Sequence, residues 1–190
     1  MAEDRILIEE SLSGDQEAFR SLVNRYGGLV VHIVHRMIRN AADAEDVYQD
    51  VFLKVYQALP RFRLESKMST WIATITYNTC VNHLRKKKEV LLGDLTEENE
   101  EGMRLRTDCP SPVERAERVD IAERLETEIG KMPPQFRTVL TLFHLEDMTY
   151  REIAQVMNLP EGTVKSHLFR ARKLLRRRLA ERYGEEELVP

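Results

Sequence analysis

Residues 148–175 read MTYREIAQVMNLPEGTVKSHLFRARKLL, the pattern of two helices meeting across a tight turn. Thr149 is a side-chain cap, and Glu152 three places on completes a capping box. Ile153, Ala154, Val156 and Met157 fall on the inner face of the first helix. Asn158-Leu159-Pro160 makes the turn, and a second helix starts over 161–163 with Val164, Leu168, Ala171 and Leu175 inward. A small Ala154 and an inward Val164 let the two helices cross closely. This is the arrangement of a helix-turn-helix.

The second helix leaves Thr163, Lys165, Ser166, Phe169, Arg170, Arg172 and Lys173 towards its outer faces, with Arg176 one turn further on. Such side chains suit the phosphates and base edges of a major groove about 12 Å wide. A helical hairpin with a merely solvated basic face carries the same charges. The capped turn favours the DNA reader.

Working back towards the N-terminus, helical periodicity continues and no β alternation appears. Leu7, Ile8 and Leu12 form a first stripe. Asp15 caps a helix carrying Ala18, Phe19, Leu22, Val23 and Tyr26. Gly27 and Gly28 mark a kink or brief break, and the stripe resumes through Leu29, Val30, Ile33, Val34, Met37 and Ile38. Asp43 is read as the cap of the next helix, with Val47, Val51, Phe52, Val55, Tyr56 and Leu59 inward and Pro60 as its stop. A basic loop over 61–69, RFRLESKMS, leads to a helix from about Thr70 to Lys87 with Trp71, Ile72, Ile75, Val81 and Leu84. Trp71 reads as core rather than as a wedge for DNA.

Residues 89–112 are rich in Glu and Asp, carry Gly93, Gly102, Pro110 and Pro112, and show little apolar periodicity, the composition of a flexible acidic linker. Helical spacing returns from about Val113 to Lys131, and Pro133-Pro134 opens a further helix over 135–145. The expectation is an all-α chain of two small helical domains: 1–88, a linker over 89–118, the helix-turn-helix domain over 119–183, and an acidic tail over 184–190.

Across 190 residues the net charge is −3, which by itself says nothing about nucleic acid. Its distribution does. Residues 61–88 carry 7 Lys and Arg against 1 Asp and Glu, and residues 149–183 carry 9 against 3. Two basic blocks set among acidic segments can form two polyanion-binding surfaces in a mildly acidic whole; each block alone also reads as a solvated face. Cys80 and Cys109 share no spacing with His or another Cys, so neither a disulfide framework nor a zinc site is expected. The N-terminus lacks a basic region followed by an apolar stretch, and the longest apolar run, 27–31, is too short to span a bilayer. The expected setting is a reducing cytoplasm, without membrane insertion.

With both halves in view, the chain is identified by resemblance as a member of the extracytoplasmic-function (group 4) sigma factors of the sigma-70 family. Residues 148–179 are similar to the C-terminal promoter-reading domain, region 4. The stretch over 43–87, DAEDVYQDVFLKVYQALPRFRLESKMSTWIATITYNTCVNHLRKK, resembles region 2. The resemblance implies that Lys165, Ser166, Phe169 and Arg170 lie nearest the bases of the minus-thirty-five element, with Arg172, Lys173 and Arg176 nearer phosphate. It implies that Asp43, Asp46, Gln49 and Asp50 dock on the clamp coiled coil of the largest polymerase subunit, although these acids also read as ordinary first-turn and surface charges. Phe62, Glu65, Ser66, Lys67 and Met68 would line the pocket for an extruded minus-ten base, with Asn78 facing the non-template strand and Arg85, Lys86 and Lys87 on duplex phosphates. Unstacking costs a few kcal/mol per step, and stacking a captured base returns about 1–3 kcal/mol. Two positions depart from the family pattern: Leu64, where the loop usually has a small residue, and Thr74, before Ile75, where a basic residue is usual.

The resemblance further implies contact with the flap of the second-largest subunit, promoter DNA as ligand, and an anti-sigma factor as partner. No cofactor, metal or small-molecule substrate is implied, and no catalytic role. An autonomous helix-turn-helix regulator accounts for the second half but leaves the first without a role. A nuclease would need a carboxylate or His constellation, and the five His (32, 35, 83, 144, 167) are scattered.

Overall fold

The computed structural model describes residues 2–93 and 124–183. Those residues are helical, with no strand among them. Helix α1 spans Ala2–Leu12, α2 Gln16–Met37, α3 Ala41–Ala58 and α4 Met68–Gly93, with a 3-10 turn at Leu59–Arg61 where Pro60 stops α3. After the helical residues 124–130 come α5 (Pro134–His144), α6 (Tyr150–Met157) and α7 (Glu161–Tyr183).

Local chemistry sets most of these ends. The Asp15 carboxylate accepts from the Glu17 and Ala18 amides at 2.8 and 3.3 Å, capping α2 as expected. Helix α3 is capped by Asn40, whose side chain accepts from the Asp43 amide at 3.0 Å, not by Asp43. Asp43 therefore sits inside the first turn, where its charge faces the helix dipole. Gly27 and Gly28 do not break α2, which runs unbroken through both. Gly27 instead gives room: a β-carbon there would lie 3.1 Å from the Tyr48 hydroxyl of α3. Helix α4 continues past Lys87 to Gly93. The rest of the expected linker, from 94 onward, the residues before 124, Cys109 and the acidic tail all lie outside the described residues.

Helices α1 to α4 form one bundle, with α2 and α3 both against α4. Val30, Ile33, Val51, Val55 and Ile72 are fully buried in it. Tyr56, expected inward, is instead 54% exposed, and Leu12 and Val81 of the apolar stripes are 49% and 39% exposed. The second unit packs α5 and α6 on α7 around Leu142, Ile153, Val164, Leu168 and Ala171. Glu128, 3% exposed, joins Lys131 and Arg182 to tie the residues before α5 to the end of α7. Burial alone would raise the Glu128 pKa, but the two cations prevail and hold it below the usual carboxylate value.

The two units are not apart. Helix α5 lies against α2, and α6 lies against α4. The sequence reading placed its two basic surfaces on separately moving domains, and the structure brings these domains face to face.

Candidate nucleic-acid interface

Helix α6 is positioned by its N-terminus. Thr149 Oγ1 accepts from the Glu152 amide at 3.3 Å, while Glu152 Oε2 accepts from both the Thr149 amide and its hydroxyl at 2.8 Å. The helix ends at Asn158 in the left-handed region (φ 52°), a conformation Asn tolerates better than most residues. That turn sets α7 across α6 with its inner face sealed by Val164, Leu168 and Ala171.

The outer face of α7 then carries every residue expected there. Lys165, Ser166, Arg170, Arg172, Lys173 and Arg176 are exposed, Thr163 is half-buried, and Phe169 is 68% exposed. Two of these cations are pre-positioned. Lys165 Nζ stands 5.5 Å above the Tyr150 ring, and the Arg172 guanidinium lies 5.0 Å above Phe143. Arg172 also approaches His144 Nε2 at 3.0–3.2 Å. An arginine can only donate, so Nε2 accepts and the imidazole is neutral. Burial and the neighbouring guanidinium both push the His144 pKa down, in keeping with that state.

The loop before α4 is more occupied than its composition suggests. Phe62 is half-buried, its ring 4.7 Å from that of Trp71 at an interplanar angle of 34°. Glu65 is exposed and Ser66 half-buried. Met68, expected to line an open pocket, is 3% exposed and belongs to the core. Lys67 points to α6, where its ammonium meets Glu152 at 2.9 Å. Leu64 adopts a positive φ of 57°, a conformation a small residue such as glycine takes with less strain. Thr74 is half-buried and donates to the Thr70 carbonyl at 2.8 Å. Along α4, Asn78, Arg85, Lys86 and Lys87 are exposed.

On α3, Asp46, Gln49 and Asp50 share one exposed face. Gln49 donates to Glu45 at 3.2 Å, and Asp50 lies 3.4 Å from Lys54. Asp43 stands apart from that face in its contacts. It accepts from Lys87 at 2.6 Å, and His83 Nε2 lies 3.4 Å from the same oxygen. The hydrogen bond from Lys87 is the main cause of a lowered Asp43 pKa. Leu53, 55% exposed, continues the stripe of Asp46 and Asp50 by one helical turn, and Tyr56 is exposed beside it with an edge-on contact to Phe19. The sequence reading did not single out Leu53; its spacing of seven from Asp46 and three from Asp50 was the available signal.

Among the described residues no group of three or more His, Cys, Asp or Glu could hold a metal ion, and no helix is long and apolar enough to cross a membrane. Cys80 is fully buried, and burial pushes its thiol pKa up to about 12.

Residues 22–90 match the family described as sigma-70 region 2, and residues 122–175 match that described as sigma-70, region 4. The chain is 36% identical over 177 residues to the RNA polymerase sigma-H factor of Pseudomonas aeruginosa, covering 91% of this chain and 92% of that protein. It is 30% identical over 176 residues to the ECF RNA polymerase sigma factor SigW of Bacillus subtilis, covering 90% and 94%. Its fold is similar to that of CnrH, solved in complex with the cytosolic domain of CnrY, with a TM-score of 0.65 at 26% identity over 95% of this chain and 99% of that one.

Proposed function

The chain belongs to the extracytoplasmic-function sigma factors of the sigma-70 family, and from that premise we propose that it directs core RNA polymerase to specific promoters through two separate DNA surfaces. It is a transcription initiation factor; the surfaces below are how this chain would perform that role. The observation that carries the reading is the outer face of α7, where six exposed polar or cationic side chains surround an exposed Phe169. Lys165, Ser166, Phe169 and Arg170 would read bases of the upstream element, while Arg172, Lys173 and Arg176 hold phosphates and set the register.

The 1–88 unit would engage the downstream element. Phe62, Glu65, Ser66 and Lys67 would form the walls of a base-capturing site, with Met68 supporting them from the core. Asn78 would meet the displaced strand, and Arg85, Lys86 and Lys87 duplex phosphates. Asp46, Gln49 and Asp50, extended by Leu53 and joined by Asp43 at the start of the same helix, would dock on the clamp coiled coil of the largest polymerase subunit. The 119–183 unit would meet the flap of the second-largest subunit. An anti-sigma factor is the proposed inhibitory partner, as the family resemblance implies. A cytoplasmic setting follows from the polymerase partner.

Two weak readers on one chain gain from linkage, since engagement of the first raises the effective concentration of the second. The geometry of polymerase would then fix their separation. Run-off transcription with purified core enzyme on a promoter library tests the reading: start-site selection gained on adding the chain supports it, and no capture by core enzyme refutes it. Tight operator binding without polymerase would point to an autonomous regulator instead.

A further inference from the structure

Phe143 and His144 close α5, and Tyr150 opens α6. The connection between them folds back tightly. Its Met148 amide donates to the Leu142 carbonyl at 3.0 Å, Met148 is buried, and Asp147 takes a left-handed φ of 48°. The turn stacks the Tyr150 ring against that of Phe143, with centroids 5.3 Å apart and planes 20° apart. The His144 imidazole stands edge-on to the same Phe143 ring at 5.0 Å. Lys165 lies over Tyr150 and the Arg172 guanidinium over Phe143, so one aromatic strip underlies both α7 cations. Their spacing is two helical turns, about 10 Å of rise, which puts both on one flank of α7.

The contact with His144 uses only one edge of the Arg172 guanidinium. Nε and Nη2 both approach the lone pair of His144 Nε2, at 3.2 and 3.0 Å. Both Nη1 donors and the second Nη2 donor are left for an acceptor outside the protein. Those donors suit a two-pronged grip on a phosphate. The chemistry of the acceptor matters as much as its place. A carboxylate there would hold Arg172 firmly, but its negative charge would repel the phosphate that Arg172 is proposed to bind. A neutral imidazole orders the side chain and leaves its positive charge uncompensated. Burial and Arg172 oppose protonation of His144, Asp147 favours it, and the first two prevail.

We propose that His144 is a positioning residue for promoter DNA, holding Arg172 over the Phe143 ring with its Nη1 side free for a backbone phosphate. The inference rests on the promoter-reading function above and adds a group that touches no DNA itself. An exposed arginine without such a hold spreads over many rotamers, and ordering it on the duplex costs affinity. His144 and Phe143 bear that ordering cost before DNA arrives. Tyr150 steadies the Phe143 ring and carries Lys165, so a phosphate grip and a base reader share one anchor. Phosphate contacts fix the register in which bases are read, and the shared strip transmits that register along α7.

Promoter affinity of the holoenzyme, assembled from the full chain and core polymerase, tests this at fixed salt. His144 is exposed, so His144→Leu should leave the melting temperature unchanged. It should lower promoter affinity about twofold to tenfold. His144→Gln supplies a neutral carbonyl acceptor and should recover most of that loss. In an Arg172→Ala background, His144→Leu should cost nothing further, because its effect passes through Arg172. Losses that multiply in the double variant overturn the positioning role, and so does His144→Gln binding as weakly as His144→Leu. Nuclear magnetic resonance of the free full chain reads the contact without DNA or polymerase. Arg172→Ala should raise the His144 titration midpoint, since Arg172 holds it down, and an unmoved midpoint overturns the contact. Run-off transcription separates the two claims. Wild type inert with core enzyme sinks the promoter reading and leaves the resonance result to stand by itself. Wild-type start-site selection together with independent His144 and Arg172 losses sinks the positioning role alone.

Discussion

The Asp43 carboxylate at the start of α3 is bound to the Lys87 ammonium near the basic end of α4, 2.6 Å apart across 44 residues of sequence. One contact therefore joins a residue proposed for polymerase docking to one proposed for duplex phosphates. A phosphate approaching Lys87 also meets the negative charge of Asp43, so the two surfaces are electrically coupled.

That pair has a pH signature. The Asp43 pKa is lowered by Lys87, so its contribution to stability is complete above the unfolded carboxylate pKa of about 3.9 and disappears as pH falls through the lower folded value. Lys87→Met should cost no more than about 0.5 kcal/mol at neutral pH, since both partners are partly exposed. Urea midpoints at neutral pH and at the most acidic pH where the chain remains folded check this. An equal loss at both would assign the effect to the lysine stem.

Leu64 holds a left-handed backbone that costs a non-glycine residue about 1–2 kcal/mol. Leu64→Gly relieves that strain, offset in part by the greater unfolded-state freedom of glycine. A net gain of up to about 1 kcal/mol is expected, or about 2–4 °C in Tm for a chain of this size. A lower Tm would mean that the half-exposed leucine side chain contributes more than its backbone costs.

Arg170 is exposed on α7, so Arg170→Ala should leave thermal stability within about 0.5 kcal/mol of wild type. Transcription should fall by the equivalent of about 1–3 kcal/mol on templates with an intact upstream element. On scrambled upstream elements the loss should disappear, and comparing the two template sets in run-off assays measures it.

Thr149→Ala removes the hydroxyl that accepts from the Glu152 amide and donates to its carboxylate. A cap of this kind is worth about 0.5–2 kcal/mol. The loss should appear in thermal melts of the whole chain. In hydrogen exchange it should concentrate in α6, which has only eight residues to distribute it over.

Cys80 has no exposed surface, and its thiol pKa is pushed up to about 12. Thiolate is the reactive form. Cys80 should therefore resist alkylation at neutral pH in the native chain and react once denatured, as peptide mapping after alkylation would show. Native labelling at Cys80 would require local opening of the α4 packing.

What the sequence determined on its own was whatever depends on neighbours three or four residues apart. The capping box at Thr149 and Glu152, the Asn158 turn, the Asp15 cap, and the outward set on α7 from Thr163 to Arg176 were all legible, because helix geometry turns spacing directly into facing. The same reasoning gave the α3 cap to Asp43 where Asn40, three residues earlier, supplies it, since spacing does not show which residue first leaves the helical backbone angles. It also put Tyr56 inside, because periodicity marks a stripe but not how wide a stripe the neighbouring helices cover. Only the tertiary structure decided that Met68 lies in the core, that Lys87 holds Asp43, and that Lys67 reaches Glu152 across 85 positions. Those pairings arise where helices from distant segments pack together, and a charge read along the chain does not reveal which opposite charge the fold will bring within 3 Å of it.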